Sequence, residues 1–150
     1  MWNNTEPTSS VVSIGNSGHV NGSGENFLMW AFHSVEGYCK ITEYKGNNNA
    51  DGPFVYLGFR PRFLITRSAT TSQTGSWNVF NTETYTYNSD TDIWFRANTN
   101  DDEFSGSTRD IDILSNGIKI RNTTANMNDN NNKMLVIAWA ENPFKYANAR

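Results

Sequence analysis

The sequence predicts an all-β protein whose antiparallel strands pack as a sandwich. Short stretches of period-2 alternation are separated by clusters of Gly, Asn, Asp and Ser, the pattern that antiparallel strands and their turns leave in a chain. Asn supplies about one residue in seven, and Thr and Ser are plentiful, which favours turn and strand formers over helix formers. Hydrophobic residues make up 37% of 150 residues and aromatics 13%, enough apolar surface to close one core without covalent staples.

The elements follow in order. Val11 to Ile14 and Phe27 to His33 flank a loop holding Gly15, Gly18, Gly22 and Gly24, which reads as a hairpin with a long tip. Val35 to Tyr44 is the next strand, with its register broken near Gly37. Lys45 to Pro53 is dense in residues that tolerate positive φ or fix a turn, so it is a loop. Phe54 to Phe59 and Phe63 to Thr66 are two strands too apolar for exposure on both faces, and Pro61 marks an edge or bend between them. After the Thr/Ser loop from Ser68 to Ser76 come Trp77 to Phe80, the alternating Thr82 to Tyr87, and Ile93 to Phe95. The acidic stretch Asn98 to Asp110 is a surface excursion. Ile111 to Leu114 and Ile118 to Arg121 form a hairpin across Asn116-Gly117, a pair suited to the positive φ of a type I′ turn. Asn122 to Asn132 is a polar loop, and the continuously apolar Met134 to Trp139 is a central strand covered on both faces.

One pattern occurs twice. Asn21 to Phe32, a polar turn feeding the run Phe27-Leu28-Met29-Trp30-Ala31-Phe32, recurs as Asn128 to Trp139, ending Met134-Leu135-Val136-Ile137-Ala138-Trp139, at an offset of about 107 positions. With a one-residue gap, Val12 and Ile14 fall on Ile118 and Ile120. Residues 1–38 therefore read as the C-terminal part of a preceding repeat, packing as extra strands, and 39–150 as one complete β-sandwich repeat. The apolar face of those first strands must be buried, in the same sandwich or against another chain.

Composition excludes several function classes. A net charge of -3, with twelve Lys and Arg scattered along the chain, provides no phosphate-binding stripe, so no nucleic-acid partner is expected. The single cysteine, Cys39, forms no internal disulfide, and two His make no zinc-type cluster, so no metal site is expected. The longest apolar run, Met134 to Ala140, is far short of the roughly 20 residues of a membrane helix, and no signal-peptide pattern opens the chain, so no membrane insertion is expected.

The candidate chemistry is correspondingly narrow. Glu36, Glu43, Glu83, Glu103 and Glu141 offer many carboxylate pairs, but a glycosidase pair is defined by separation in space, and solvated loop charge is the simpler reading. His19 and His33 lack a nucleophile setting such as Gly-x-Ser-x-Gly, so no catalytic residue is assigned and the chain is read as no enzyme. Asp90, Asp92, Asp101, Asp102, Glu103, Asp110, Asp112 and Asn128 to Asn130 are oxygen ligands of the kind calcium takes, yet no EF-hand spacing occurs. No cofactor is expected; the alternative reading is an acidic rim that discourages edge pairing. Tyr85, Tyr87, Trp77, Trp94 and Tyr56 are the ligand-binding candidates, because a flat ring suits the CH face of a sugar while Asn and Asp fix its hydroxyls. Core or cross-strand packing is the competing reading of each ring. Tyr85 and Tyr87 lead, since they share one face of a strand whose other positions are Thr and Glu.

The strings Gly52-Pro53-Phe54-Val55-Tyr56 with Gly58-Phe59-Arg60-Pro61, Leu114-Ser115-Asn116-Gly117, and the closing Ala140-Glu141-Asn142-Pro143-Phe144-Lys145-Tyr146-Ala147-Asn148-Ala149-Arg150 resemble an uncharacterised repeated domain of virion structural and tail-fibre-like proteins of marine tailed bacteriophages. Val35-Glu36-Gly37-Tyr38 and Trp2 to Ser10 are similar to that family's junction between copies. The resemblance covers nearly the whole chain, most specifically its closing motif, and matches Ser68 to Asp110 in spacing alone. It implies a sandwich of lectin-like or jelly-roll type on a virion, at the tail or particle surface, and supplies no catalytic residues.

The function expected is then a non-enzymatic virion structural protein, a module of a tail fibre or appendage that binds host surface glycan through loops and exposed aromatics. Its partners are other virion subunits, in a homo-oligomer with a trimer favoured, where several weak sites act together. An architectural capsid or tail decoration protein without a ligand is the alternative, and a glycan hydrolase the third reading.

Overall fold

A computed structural model describes residues 3–70, 75–84, 88 and 93–144. It divides into two compact units, residues 1–32 and 33–150.

The second unit is a two-sheet antiparallel sandwich. Its strands are β1 (Cys39–Lys45), β2 (Phe54–Tyr56), β3 (Pro61–Ser68), β4 (Asn78–Asn81), β5 (Ile93–Arg96), β6 (Phe104–Ser105), β7 (Ile111–Leu114), β8 (Gly117–Ile120) and β9 (Lys133–Ala140). The large sheet runs β1-β9-β3-β4-β5-β6 and the small one β2-β8-β7. β9 pairs with β1 from Cys39↔Trp139 to Lys45↔Lys133, and with β3 from Pro61↔Ala140 to Ser68↔Met134. Continuous apolarity therefore marks a central strand, as the sequence implies: Met134, Val136 and Ala138 are fully buried and the alternate positions half-buried.

The core lies between the sheets. Leu64, Phe80, Trp94, Met134 and Val136 from the large sheet meet Val55, Ile111, Ile113, Ile118 and Ile120 from the small one, with Met127 closing one end. Met127 belongs to a one-turn helix, α2 (Ala125–Asn128), inside the polar loop before β9. Each buried aliphatic side chain contributes about 1.5–3 kcal/mol relative to exposure, so this shared core holds the two sheets together. Among the described residues no helix is long and apolar enough to cross a membrane.

Local chemistry departs from the sequence reading at several places. β1 starts four residues later than expected, because Val35 to Tyr38 make a tight turn closed by the Val35↔Cys39 bridge, with Gly37 at φ 70°. Pro61 does mark a bend, a register shift between Pro61 and Phe63. Thr82 to Thr84 form a turn after β4, in which Thr84 Oγ1 donates to the Asn81 carbonyl, while Tyr85 to Tyr87 lie outside the described residues. The β7–β8 hairpin forms with Leu114 opposite Gly117, so Ser115 and Asn116 make the turn, and neither Asn116 nor Gly117 takes a positive φ. Gly117 serves another purpose. A Cβ there would meet the Val55 carbonyl oxygen and lie 3.0 Å from the Phe54 ring, so its bareness is what lets β2 approach β8.

The first unit contains a one-turn helix, α1 (Gly18–Asn21), whose cap is Ser17 with its Oγ accepting from the His19 N–H. Among its described residues no strand of the expected hairpin forms, although Ile14 makes a single β-bridge. Residues 25–32 form no helix, turn, bend or strand. An apolar pattern specifies which side chains a strand would bury, but a strand also needs a neighbour for its backbone.

Candidate functional site

A cleft of about 380 Å³ opens on the second unit between the turn before β1 and the end of β2. Ser34 to Gly37, Cys39 and Lys40 form one wall, and Tyr56 to Phe59 the other. Both walls are held by backbone geometry. The Ser34 hydroxyl accepts from the Ile41 N–H at 2.9 Å and donates to the Ile41 carbonyl at 3.4 Å, which pins the first wall to β1. The Cys39 thiol donates to the His33 carbonyl at 3.1 Å. On the other wall the Leu57 and Gly58 N–H groups both donate to the Asn116 carbonyl, at 2.9 and 3.0 Å. Gly58 adopts φ 86°, a left-handed conformation that favours glycine, and it sits beside the Tyr56 ring, whose hydroxyl lies 3.6 Å from where a Cβ would stand, in ordinary contact.

The site combines one aromatic plate with a few polar groups. Tyr56 is 61% exposed because β2 alternates: Val55 enters the core while Phe54 and Tyr56 face outward. Lys40 provides a donor and Glu36 an acceptor, and in the Val35 to Tyr38 turn the peptide groups of Glu36 and the Gly37 N–H add both kinds, the others being bonded to the Cys39, Ala140 and Phe144 backbone or within the turn. Glu36 is the one carboxylate among the described residues lining the cleft. A ring face beside fixed donors and acceptors suits a polyhydroxylated ligand.

The five expected ligand-binding residues do not come together. Tyr56 alone lines the cleft. Trp77 is half-buried with the Arg67 guanidinium 4.7 Å from its ring centroid, and its backbone N–H donates to Asn98 Oδ1 at 2.9 Å. Trp94 is 2% exposed and stacks on Phe104 at 4.3 Å, so it is a core residue, contrary to the ligand role expected of it. Tyr85 and Tyr87 lie outside the described residues. Ser34, Lys40 and Gly58 were not singled out by the sequence, and Glu36 only as one of several loop carboxylates. A glycine two positions after an outward-facing Tyr on a short strand is the signal that points to the second wall.

The acidic candidates have other occupations. Asp101 pairs with Arg96 at 3.1 Å and Asp112 with Arg121 at 2.6 Å; Asp51, outside that set, pairs with Lys119 at 2.9 Å. The hydrogen bond and charge of Lys119 hold the Asp51 carboxyl below the usual carboxylate range. Asn128 gives its whole side chain to backbone: Oδ1 accepts from the Asn47 N–H at 2.9 Å, and Nδ2 donates to the Asn49 and Asn122 carbonyls at 2.8 and 2.6 Å. Asp90 and Asp92 lie outside the described residues, and among those described no group of three His, Cys, Asp or Glu is placed to hold a metal ion.

Residues 1–143, spanning both units, match a family described as a domain of unknown function (DUF7483). The chain belongs to that family. No curated protein and no solved structure matches the chain.

Proposed function

We propose that this DUF7483 protein is a non-enzymatic structural module of a virion appendage whose cleft binds host surface glycan. The observation that carries the glycan reading is the Tyr56 ring, exposed on a rigid strand at a cleft that also offers Lys40, Glu36 and the peptide groups of a tight turn. Stacking of a sugar CH face on the ring, with hydroxyls bound by those groups, is the chemistry available there. The virion setting is supported by the resemblance of the Gly52 to Pro61 and Ala140 to Arg150 strings to tail-fibre-like domains. A sandwich suits such a part because its sheets hold the walls in place while loop residues vary. With a single carboxylate among the described residues lining the cleft, the paired-carboxyl hydrolysis of a glycosidase has less support than binding. The test is adsorption of the protein to host cells and to glycans extracted from them, compared with Tyr56→Ala. Equal adsorption of the two proteins would remove the glycan reading.

The architectural reading, a capsid or tail decoration protein that packs against other subunits, is favoured by a different observation. Phe27, Leu28, Met29 and Trp30 are all at least half exposed in one uninterrupted apolar run. An exposed patch of that kind marks a protein-protein contact.

A further inference from the structure

We propose that the segment Phe27 to Phe32 of one copy adds as a strand to the edge of β2 in a second copy of this chain. The donor is prepared for pairing. Leu28 is 79% and Trp30 76% exposed, the segment has no turn or bend, and among the described residues the backbone groups of Phe27 to Ala31 make no hydrogen bond. An apolar strand with a free backbone is a template for another sheet.

The internal repeat indicates what kind of sheet. Phe27, Met29 and Ala31 correspond to Met134, Val136 and Ala138, the fully buried face of β9, and Leu28 and Trp30 correspond to its half-buried Leu135 and Ile137. In the sandwich, β9 has a strand on each side, β1 and β3. The segment thus carries the side-chain pattern of a strand of this fold, and its complement is a sheet of this fold.

The acceptor follows from which edges are closed. The outer edge of β1 is plugged where Ser34 Oγ takes both backbone groups of Ile41. The outer edge of β7 is plugged by Asn88, whose side-chain amide accepts from the Ile113 N–H at 2.8 Å and donates to its carbonyl at 3.3 Å. β6 is two residues long. β2 has no such plug. The Leu57 N–H and the Pro53 carbonyl point toward β8, so the pleat turns the backbone groups of Phe54 and Tyr56 outward, and among the described residues nothing takes them. The Phe54 side chain is exposed as well, giving the incoming apolar strand ring surface to cover beside the Tyr56 plate. Donor and acceptor are different surfaces, so the contact is head-to-tail and closes as a ring or extends as a fibre.

Sedimentation equilibrium of the full chain, from micromolar to near-millimolar concentration, tests the assembly. The average mass is expected to rise above that of one chain. Met29→Pro, which removes a strand N–H while remaining compatible with extended backbone, is expected to stay monomeric with an unchanged circular dichroism spectrum. A wild-type chain that is monomeric throughout, or a Met29→Pro chain that assembles as well as wild type, overturns the proposal. Mixing Phe54→Cys chains with Leu28→Cys or Trp30→Cys chains under mild oxidation tests the acceptor, with mixed disulfide dimers expected in excess over like pairs. Assembly without mixed dimers at either position overturns the assignment to β2. No sugar enters these measurements, so their failure and that of the glycan reading are separate results.

Discussion

The guanidinium carbon of Arg109 lies 3.9 Å from the centroid of the Trp94 ring, and both residues are buried. Arg109 Nε donates to Asn78 Oδ1 at 3.0 Å, and among the described residues no carboxylate pairs with it. Burial pushes its pKa down to about 10, and the nearby charge of Arg96 adds to that shift. Trp94 in turn stacks on Phe104, over which Arg96 lies at 4.7 Å. The arrangement closes the β5 end of the core with alternating cations and rings.

Trp94→Ala should lower unfolding stability by about 3–5 kcal/mol, the range for truncating a buried aromatic. Arg109→Met keeps an unbranched stem over the indole and removes the desolvated charge, but strands Asn78 Oδ1, so a smaller loss of about 1–2 kcal/mol is expected. Urea unfolding of both variants measures the difference. Equal losses would mean that the guanidinium does more than cover the ring.

Tyr44 makes the fold sensitive to alkali. Its hydroxyl donates to the Met127 carbonyl, and burial raises its pKa above the ordinary value of about 10. In the folded state the phenol stays neutral, whereas in the unfolded chain it ionises near that ordinary value. Stability from this group is complete below pH about 10 and lost as pH rises beyond it. Arg109, with its depressed pKa, acts in the opposite sense between about 10 and 12.5, so the phenol is isolated by comparing wild type with Tyr44→Phe. Tyr44→Phe should be less stable at neutral pH by about 1 kcal/mol, for the lost hydrogen bond, and should lose less stability than wild type between pH about 9 and 11. Parallel pH profiles for the two proteins would contradict the assignment.

Asn128 ties the Lys45 to Pro53 loop to its own Asn122 to Asn132 loop through one fully buried amide. Asn128→Ala leaves the Asn47 N–H and the Asn49 and Asn122 carbonyls without this partner and is expected to cost about 2–4 kcal/mol. Asn128→Asp retains the acceptor but cannot donate when ionised, so it should be no better at neutral pH and should recover in part as the carboxyl is protonated. Thermal unfolding at two pH values distinguishes these outcomes.

The parts of this molecule that the sequence made legible are those in which one residue type has one physical use. Continuous apolarity from Met134 to Trp139 corresponds to β9, the strand with neighbours on both sides, and Pro61 to a break in register. Where a residue has two uses, pattern alone did not separate them. Gly117 resembles a turn glycine but is bare to admit the Val55 carbonyl. Phe27 to Phe32 has the pattern of a strand, yet pairing depends on an available edge. The site shows the same ambiguity: Trp94 and Tyr56 are both aromatic residues on short strands, and only the partner sheet decides that one is 2% and the other 61% exposed. The Ser34 to Lys40 wall was less legible still, because a turn and a strand start placed next to the end of β2 are brought together by tertiary packing.

Tyr56 permits a clean separation of binding from folding. Its ring is largely in water and makes no hydrogen bond within the described residues, so Tyr56→Ala should change stability by no more than about 0.5 kcal/mol. If the ring is the stacking plate, its loss should weaken glycan binding about tenfold or more, corresponding to about 1.4 kcal/mol. Tyr56→Phe should retain most of the affinity, since stacking uses the face and not the hydroxyl. Gly58→Ala imposes a side chain on a backbone at φ 86° and within ordinary contact of the Tyr56 ring, so it should impair binding with the ring still present. Titration of each variant with host-derived oligosaccharide, together with its melting temperature, checks these expectations. An intact affinity in Tyr56→Ala would mean that sugars, where they bind, use another surface.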